Sequence, residues 1–415
     1  MDAQDETRAD YSPLEFYPKE RIRRASAFTG LGLIMNLLIT LLLAGLNLGC
    51  QNATDEKETD TVTVFRELGS RDLKVRRAAV ESLVSLASSP KGDRAIRENL
   101  ESVAQIIANK REDPEVRGQS VRAIATVSER QFINQKYVPM LIEILLDEKE
   151  DETVRSWIAM TLPDLAPPEV ATPPILAASR SENVNVRENA SAQVARLRLE
   201  PERLLIWLQR GIKDPNMSIR LAAICAAGEL LRRDKRALTV LLRGTSDREA
   251  TVRQTAIQLL MEGGVLGDDK KDVRAAFEKL RQDPNPGVAM HATVALMELV
   301  PKDAAKYLPA VIKGLQADDA KLQEAAAQAL AMSSVEAEAA VPSLKSAVTD
   351  SADQVKVHAA MTLIRLTGKP DEYVDVLREL EQSADVGVMM WAKLYRAIVL
   401  AESEEQEKKR HKQDK

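Results

Sequence analysis

A short phrase, Val-Arg-x-x-Ala, recurs along the chain and constrains its fold more than any other feature. Its ten copies, some of them imperfect, begin at Val75, Val116, Val154, Val186, Ile219, Val252, Val288, Leu322, Val355 and Val388. Successive copies start 32 to 41 residues apart, most often 33. A period of this length is the signature of a repeat protein, in which each repeat packs only on its neighbours.

The spacing inside each repeat predicts helices. Counted from the first residue of the phrase, the residues at offsets 0, +4 and +8 are mostly apolar. These three positions lie on one face of a helix. An Asp that can cap a helix precedes most copies, as at Asp113 and Asp319. A second amphipathic stretch lies between successive phrases, and aromatic residues are only 3% of the chain. We therefore predict an all-α fold, an α-solenoid of about ten pairs of helix A and helix B over residues 61–400.

These features together resemble a known family. The period, the Pro-x-Leu of helix A (Pro139 to Leu141, for example) and the Asp before Val-Arg at the start of helix B are similar to HEAT repeats of the phycobilisome-lyase-like kind. The resemblance covers about residues 61–400. It implies a superhelical stack of helix pairs, and it implies little about function.

The residues before the repeats have the pattern of a targeting segment. Residues 1–24 are charged and end in a basic cluster, whereas residues 25–50 carry no charge. A positive flank before an apolar run is typical of membrane insertion, with the basic side in the cytoplasm. Residues 51–60 then form a polar tether. At the other end of the chain, residues 401–415 are highly charged, and we predict a disordered tail there.

The end of the apolar run resembles a bacterial lipoprotein signal. Gly49 precedes Cys50, and the resemblance implies acylation of Cys50 and removal of residues 1–49. The alternative is an uncleaved single transmembrane span, for which the apolar run is long enough. Both interpretations place the solenoid in the cell envelope, anchored to a membrane on its extracytoplasmic side.

Basic residues recur at the second position of the phrase. They are Arg76, Arg117, Arg155, Arg187, Arg220 and Arg253. In the family that the repeats resemble, this Arg pairs with an Asp of a nearby repeat. The available partners are Asp72, Asp113, Asp151, Asp214 and Asp247. We favour this structural ladder over the alternative, a phosphate-binding stripe.

The composition offers little for catalysis or metal binding. The two Cys and three His residues are scattered, so we expect no zinc cluster, no metal and no cofactor. Cys225 stands among Ala residues and is interpreted as a packed thiol rather than a nucleophile. The net charge of −5 gives no reason to expect nucleic-acid binding.

One pattern points to a binding surface. Offsets +2 and +6 of helix B face away from the predicted core, and in the later repeats they become apolar. The residues are Met290, Val294, Val357, Met361, Met390 and Leu394. Apolar surface rich in Met adapts to varied partners, which would make these residues a partner groove. The alternative is that superhelical curvature buries the same positions.

The sequence therefore predicts an exported, membrane-tethered scaffold that binds protein partners and has no catalytic residues. The alternative is a lyase-like HEAT enzyme or chaperone that positions a chromophore or other ligand in its concave groove. The export signal and the lack of a convergent polar cluster in that groove favour the scaffold.

Overall fold

The computed structural model describes residues 61–413, apart from residues 88, 128–135, 195, 198, 264–268 and 334. All regular structure in these residues is helical. The α-helices are α1 Thr61–Leu68, α2 Leu73–Leu86, α3 Pro90–Glu98, α4 Leu100–Ala108, α5 Pro114–Ala125, α6 Val138–Leu146, α7 Glu152–Leu165, α8 Pro168–Ala178, α9 Val184–Val194, α10 Pro201–Gly211, α11 Met217–Leu231, α12 Leu238–Gly244, α13 Ala250–Glu262, α14 Asp269–Leu280, α15 Pro286–Leu299, α16 Ala304–Leu315, α17 Ala320–Ala331, α18 Val341–Asp350, α19 Asp353–Thr367, α20 Val374–Leu380 and α21 Val386–Gln413.

Ten helix pairs account for 20 of these helices, and the prediction of an α-solenoid is confirmed. The remaining helix, α3, lies between repeats one and two. It explains why the phrases of these repeats start 41 residues apart, whereas most start 33 apart. The described residues form two compact units on either side of residues 264–268. The N-terminal unit holds repeats one to six, and the C-terminal unit holds repeats seven to ten.

Within each unit the packing is between nearest neighbours. Every helix B contacts helix A of its own repeat and helix B of the next repeat in the same unit. The phrase positions supply this contact: Val154, Ile158 and Leu162 are all fully buried. Because a single helix pair cannot bury its apolar face alone, the stack rather than the individual repeat is the unit of stability.

Side-chain caps mark the start of helix B in most repeats, although not always at the predicted residue, and helix B of repeats six and nine has no side-chain cap. In four repeats the capping oxygen comes from the expected Asp: Asp72, Asp113, Asp151 and Asp319. In repeats five and seven the caps are Asn216 and Asn285, two residues later. Asp214 and Asp283 there accept the backbone N–H of those Asn residues instead, so the helix starts later and the carboxylate lies in the turn before it.

The C-terminal end of the chain differs from the prediction. Residues 401–413 continue helix α21, where the sequence suggested a disordered tail. The segment is rich in Glu, Gln, Lys and Arg, which are strong helix formers, and it extends a helix that the tenth repeat has already nucleated.

None of the helices in the described part of the chain is long and apolar enough to cross a membrane. The predicted signal or anchor of residues 25–50, the tether of residues 51–60 and the acylation site Cys50 lie outside the described residues.

Candidate partner-binding surface

The Arg residues of the phrase form two kinds of contact in the N-terminal unit. In repeats one, four and five, the guanidinium donates to two backbone carbonyls before its own helix and to a carboxylate of the following repeat. Arg220 shows this most fully, with bonds of 3.0 Å to the carbonyls of Asp214 and Pro215 and of 2.7 and 3.0 Å to Asp247. Arg187 bonds Asp214 in the same way.

Repeats two and three use a different geometry. The Nε of Arg117 donates to the carbonyl of Ile107, and the Nε of Arg155 donates to that of Leu145, both near the C-terminal end of helix A. A cation there is favoured by the helix dipole. Their Nη atoms bond Glu150 and Glu148 at 2.7 to 3.0 Å. These bonds hold the pKa of each of the two glutamates below its usual value.

The partners therefore differ from the predicted set in the early repeats. Arg76 bonds Glu112, and Arg117 bonds Glu150, each one residue before the expected Asp. Asp113 and Asp151 cap the following helices, and Asp113 also accepts two hydrogen bonds from Arg77. Arg253 donates to the backbone carbonyls of Asp247 and Arg248. The guanidinium groups are thus engaged inside the stack, which supports the structural interpretation over a phosphate-binding stripe.

The six predicted groove residues do not form one surface. Val294 and Val357 are buried, so the prediction that they line a groove is wrong. Met290 packs against the end of α16, where a Cβ added at Gly314 would lie 3.3 Å from the Met290 sulfur. The reason is that offsets +2 and +6 turn partly toward the next repeat, which covers them when it stacks. Met361 is half-buried.

The tenth repeat is different, because no described helix follows α21. Met390 is 37% exposed there, whereas Val357 at the same offset in repeat nine is buried. Val386 is 63% and Leu400 49% exposed on the same helix, and Leu394 is half-buried. Val386, Met390 and Leu400 are separated by 4 and 10 residues, a spacing that keeps them near one helical face. We call these three side chains the terminal face.

Sequence reasoning found only Met390 in the terminal face. Val386 and Leu400 stand outside offsets +2 and +6. The position of Val386 is also exposed in repeats four and five, at Val184 and Met217. For Met390 and Leu400 the signal is positional, because the last described repeat presents a side that earlier repeats cover.

Three ring side chains of α19 and α21, His358, Trp391 and Tyr395, pack against one another. The His358 Nδ1 lies 2.8 Å from the Tyr395 hydroxyl, and Trp391 packs edge-on against the His358 ring with 5.3 Å between ring centroids. Burial, with a smaller contribution from His291, lowers the pKa of His358 to about 3. Burial also raises the pKa of Tyr395, so its O–H is intact and can pair with either tautomer of a neutral imidazole.

The remaining nucleophile candidate is not activated. Burial and the nearby Glu229 and Glu262 raise the pKa of Cys225 to about 12. The thiol is therefore protonated at neutral pH, the opposite of what a reactive cysteine needs. Among the described residues, no three His, Cys, Asp or Glu side chains are arranged to hold a metal ion.

Comparison with known proteins now identifies the repeats. Residues 171–261, from helix α8 to helix α13, match the family described as HEAT repeats. The matched segment, which spans repeats four to six, is similar to HEAT repeats. No curated protein sequence matches the chain.

Among solved structures, the α-solenoid is similar to importin beta crystallised in an ammonium sulfate condition. The two are 13% identical with a TM-score of 0.52, over 92% of this chain and 60% of importin beta. This likeness shows the α-solenoid fold. An engineered protein is 17% identical with a TM-score of 0.38, over 82% of this chain and 98% of its own.

Proposed function

We propose that this protein is a membrane-tethered scaffold of the cell envelope, which binds protein partners on the extracytoplasmic side without catalysing a reaction. The HEAT-repeat fold supports the scaffold, because stacked repeats present long surfaces to other chains. The tether rests on the charge-free run of residues 25–50 after a basic cluster. The observation that carries the binding function is the terminal face.

The terminal face fits an amphipathic helix of a partner. Inside the C-terminal unit, each helix B is covered by helix B of the next repeat. At α21 no described helix covers the same side, so Met390 and Leu400 are exposed there, next to the exposed Val386. A partner helix with apolar residues at i, i+4 and i+7 would pack there as an eleventh helix B does. Each buried Val, Leu or Met side chain contributes about 1.5–3 kcal/mol.

Site-specific cross-linking tests this function. A photoreactive amino acid replaces Met390 in one variant and Ile206 in another, and both proteins are irradiated in cells. Ile206 is the matched control, because it is an exposed aliphatic residue on helix α10 of the N-terminal unit. We expect a discrete cross-linked protein from position 390 and none of the same mass from position 206.

A second substitution distinguishes specific recognition from nonspecific hydrophobic association. Val386→Glu should abolish the cross-link from position 390 and leave the melting temperature within about 1 °C, because an exposed Glu needs no buried partner. A cross-link that survives Val386→Glu, or equal products from positions 206 and 390, would show that the terminal face is not the binding surface.

A further inference from the structure

The turns between helices A and B in repeats five and six enclose a cleft on the N-terminal unit. The cleft has a volume of about 480 Å³, and its charged lining includes Lys213, Arg220, Arg243, Arg248 and two Asp residues. A ligand of this cleft would bind independently of the terminal face, which belongs to the C-terminal unit.

The acidic groups of this cleft are already engaged. Both Asp residues of the lining belong to the ladder, since Asp214 accepts from Arg187 and Asp247 accepts from Arg220. Both carboxylates of the cleft are therefore bound to Arg residues of the ladder, and neither is left to pair with the other cations of the lining.

The cations of the turns are exposed and are not held by the ladder. Lys213 and Arg243 are exposed, and neither forms a hydrogen bond or ion pair with a carboxylate of the described residues. Arg248 is also exposed; it donates to the Pro215 carbonyl and lies 3.9 Å from Glu249. The positive charge of these side chains is thus available to a ligand.

Exposed cations occupy equivalent positions in successive repeats. Arg210 and Arg243 hold the same place near the end of helix A, ten residues before the ladder Arg of their repeats. Arg180 and Lys213 hold the same place in the turns of repeats four and five. All four are exposed. The B helices of repeats four, five and six pack on one another, and packed helices lie about 8–10 Å apart. Each pair therefore presents two positive charges about one repeat apart.

We propose that this edge, which we call the basic edge (Arg180, Arg210, Lys213, Arg243 and Arg248), binds an acidic peptide segment in an extended, polyproline-II-like conformation. Such a helix has three residues per turn and rises about 3.1 Å per residue, so every third side chain points the same way at intervals of about 9 Å. This interval matches the spacing between repeats. The ligand therefore carries Asp or Glu at positions i, i+3 and i+6.

The shape of the cleft favours a peptide over a flat anionic membrane. A carboxylate on a side chain can enter a concave site between two turns and meet Lys213 and Arg243 together. Guanidinium groups bind carboxylates with two parallel N–H bonds, which adds direction to the charge attraction. A membrane surface would meet the rim of the cleft without entering it.

Fluorescence anisotropy with the full chain in non-ionic detergent at low salt tests the proposal. The probes are two labelled peptides of identical composition, four Glu-Pro-Pro triplets and a block of four Glu followed by eight Pro. We expect the triplet peptide to bind at least fivefold more tightly. The double change Lys213→Gln, Arg243→Gln should weaken its binding at least tenfold and leave the melting temperature unchanged.

The matched control is Arg203→Gln, Arg233→Gln. It removes the same charge from exposed Arg residues near the opposite ends of the repeat-five helices, at the start of α10 and after α11. This control should bind the triplet peptide as the wild type does. Equal losses in the two double variants, or equal affinity for the two peptides, would overturn the proposal in favour of unspecific charge attraction. Binding to phosphatidylglycerol vesicles that depends on Lys213 and Arg243, without binding of either peptide, would overturn it in favour of a membrane.

Discussion

At the residue scale, the ladder Arg decides the stability of a repeat because its charge is buried. The side chains of Arg220 and Asp247 are only 5% and 7% exposed, and the guanidinium makes four hydrogen bonds. Removing one partner of a buried pair is costly, since the other charge remains in a poorly solvated site. The same change on the surface removes little, because water and salt already screen the pair.

We therefore expect Arg220→Ala to destabilise repeats five and six by about 3 kcal/mol. Arg236→Ala is the control, because Arg236 also pairs with two carboxylates but is exposed, and its loss should change the stability far less. Hydrogen exchange of helices α11 and α13, together with thermal unfolding, measures both. Equal protection in the two variants would show that the buried ladder is not a stabilising element.

The neutral His358 makes the C-terminal unit sensitive to acid. Its folded-state pKa of about 3 lies below the ordinary histidine value of 6.5, so on acidification the unfolded chain takes up the proton first. The stability is therefore complete above pH 6.5 and is lost as the pH falls toward 3. At pH 5 the loss amounts to about 2 kcal/mol.

Replacement by Gln should remove this loss, because Gln can accept the Tyr395 hydrogen bond and does not titrate. Hydrogen exchange of helices α19 and α21 in urea at pH 7 and pH 5 compares His358→Gln with the wild type. We expect the wild type to lose about 2 kcal/mol more than the variant between the two pH values. The same loss in both proteins would assign the acid sensitivity to other groups.

At the element scale, the pairing of helices A and B depends on close approach at particular residues. Gly211 ends α10 against α11, and a Cβ added there would lie 2.9 Å from the Ala223 Cβ. Ala223 has no flexible end that could move away. The helices of repeat five are therefore as close as their backbones permit, which explains why a residue of poor helix propensity ends helix A.

Gly211→Ala should destabilise the protein by about 1–3 kcal/mol, the usual range for overpacking, although Ala is the better helix former. Gly69→Ala is the control, since the added methyl would lie at an ordinary 3.4 Å from the Arg66 carbonyl oxygen. Thermal unfolding of both variants measures the difference. A Gly211→Ala protein that melts at or above the wild-type temperature would show that the helices can separate at no cost.

At the scale of the whole molecule, the stack has ends, and the ends differ from the middle. The described chain closes with a helix of 28 residues, about twice as long as helix B of any other repeat. The side that an eleventh repeat would cover is left open, which places the terminal face at the end of the C-terminal unit. The other end of the described chain begins at residue 61, directly after the predicted tether.

The tether itself is tested by lipid labelling of the whole protein. We expect labelled palmitate to enter the wild type and not Cys50→Ser, with loss of residues 1–49 from the mature chain. The Cys225→Ser variant is the control and should label as the wild type does. An unlabelled protein that keeps residues 1–49 and remains in the membrane fraction would instead establish an uncleaved span.

The repeat, its helix pairs and the Arg residues of the ladder could be predicted from the sequence alone. These features depend on local rules: a period near 33, offsets of 0, +4 and +8 on one helical face, and an Asp or Asn that caps a helix within three residues. Even the places where helix B starts later follow from local hydrogen bonds, as at Asp214 and Asn216.

The contacts of each repeated residue, by contrast, depend on the stacking of the repeats. Arg117 reaches Glu150 rather than Asp151, and its guanidinium also donates to a carbonyl near the end of helix A. Val357 and Met390 hold the same offset, yet one is buried and the other is exposed. Periodicity makes such positions equivalent in sequence, whereas burial depends on the neighbouring repeat, and the last described repeat has none on one side.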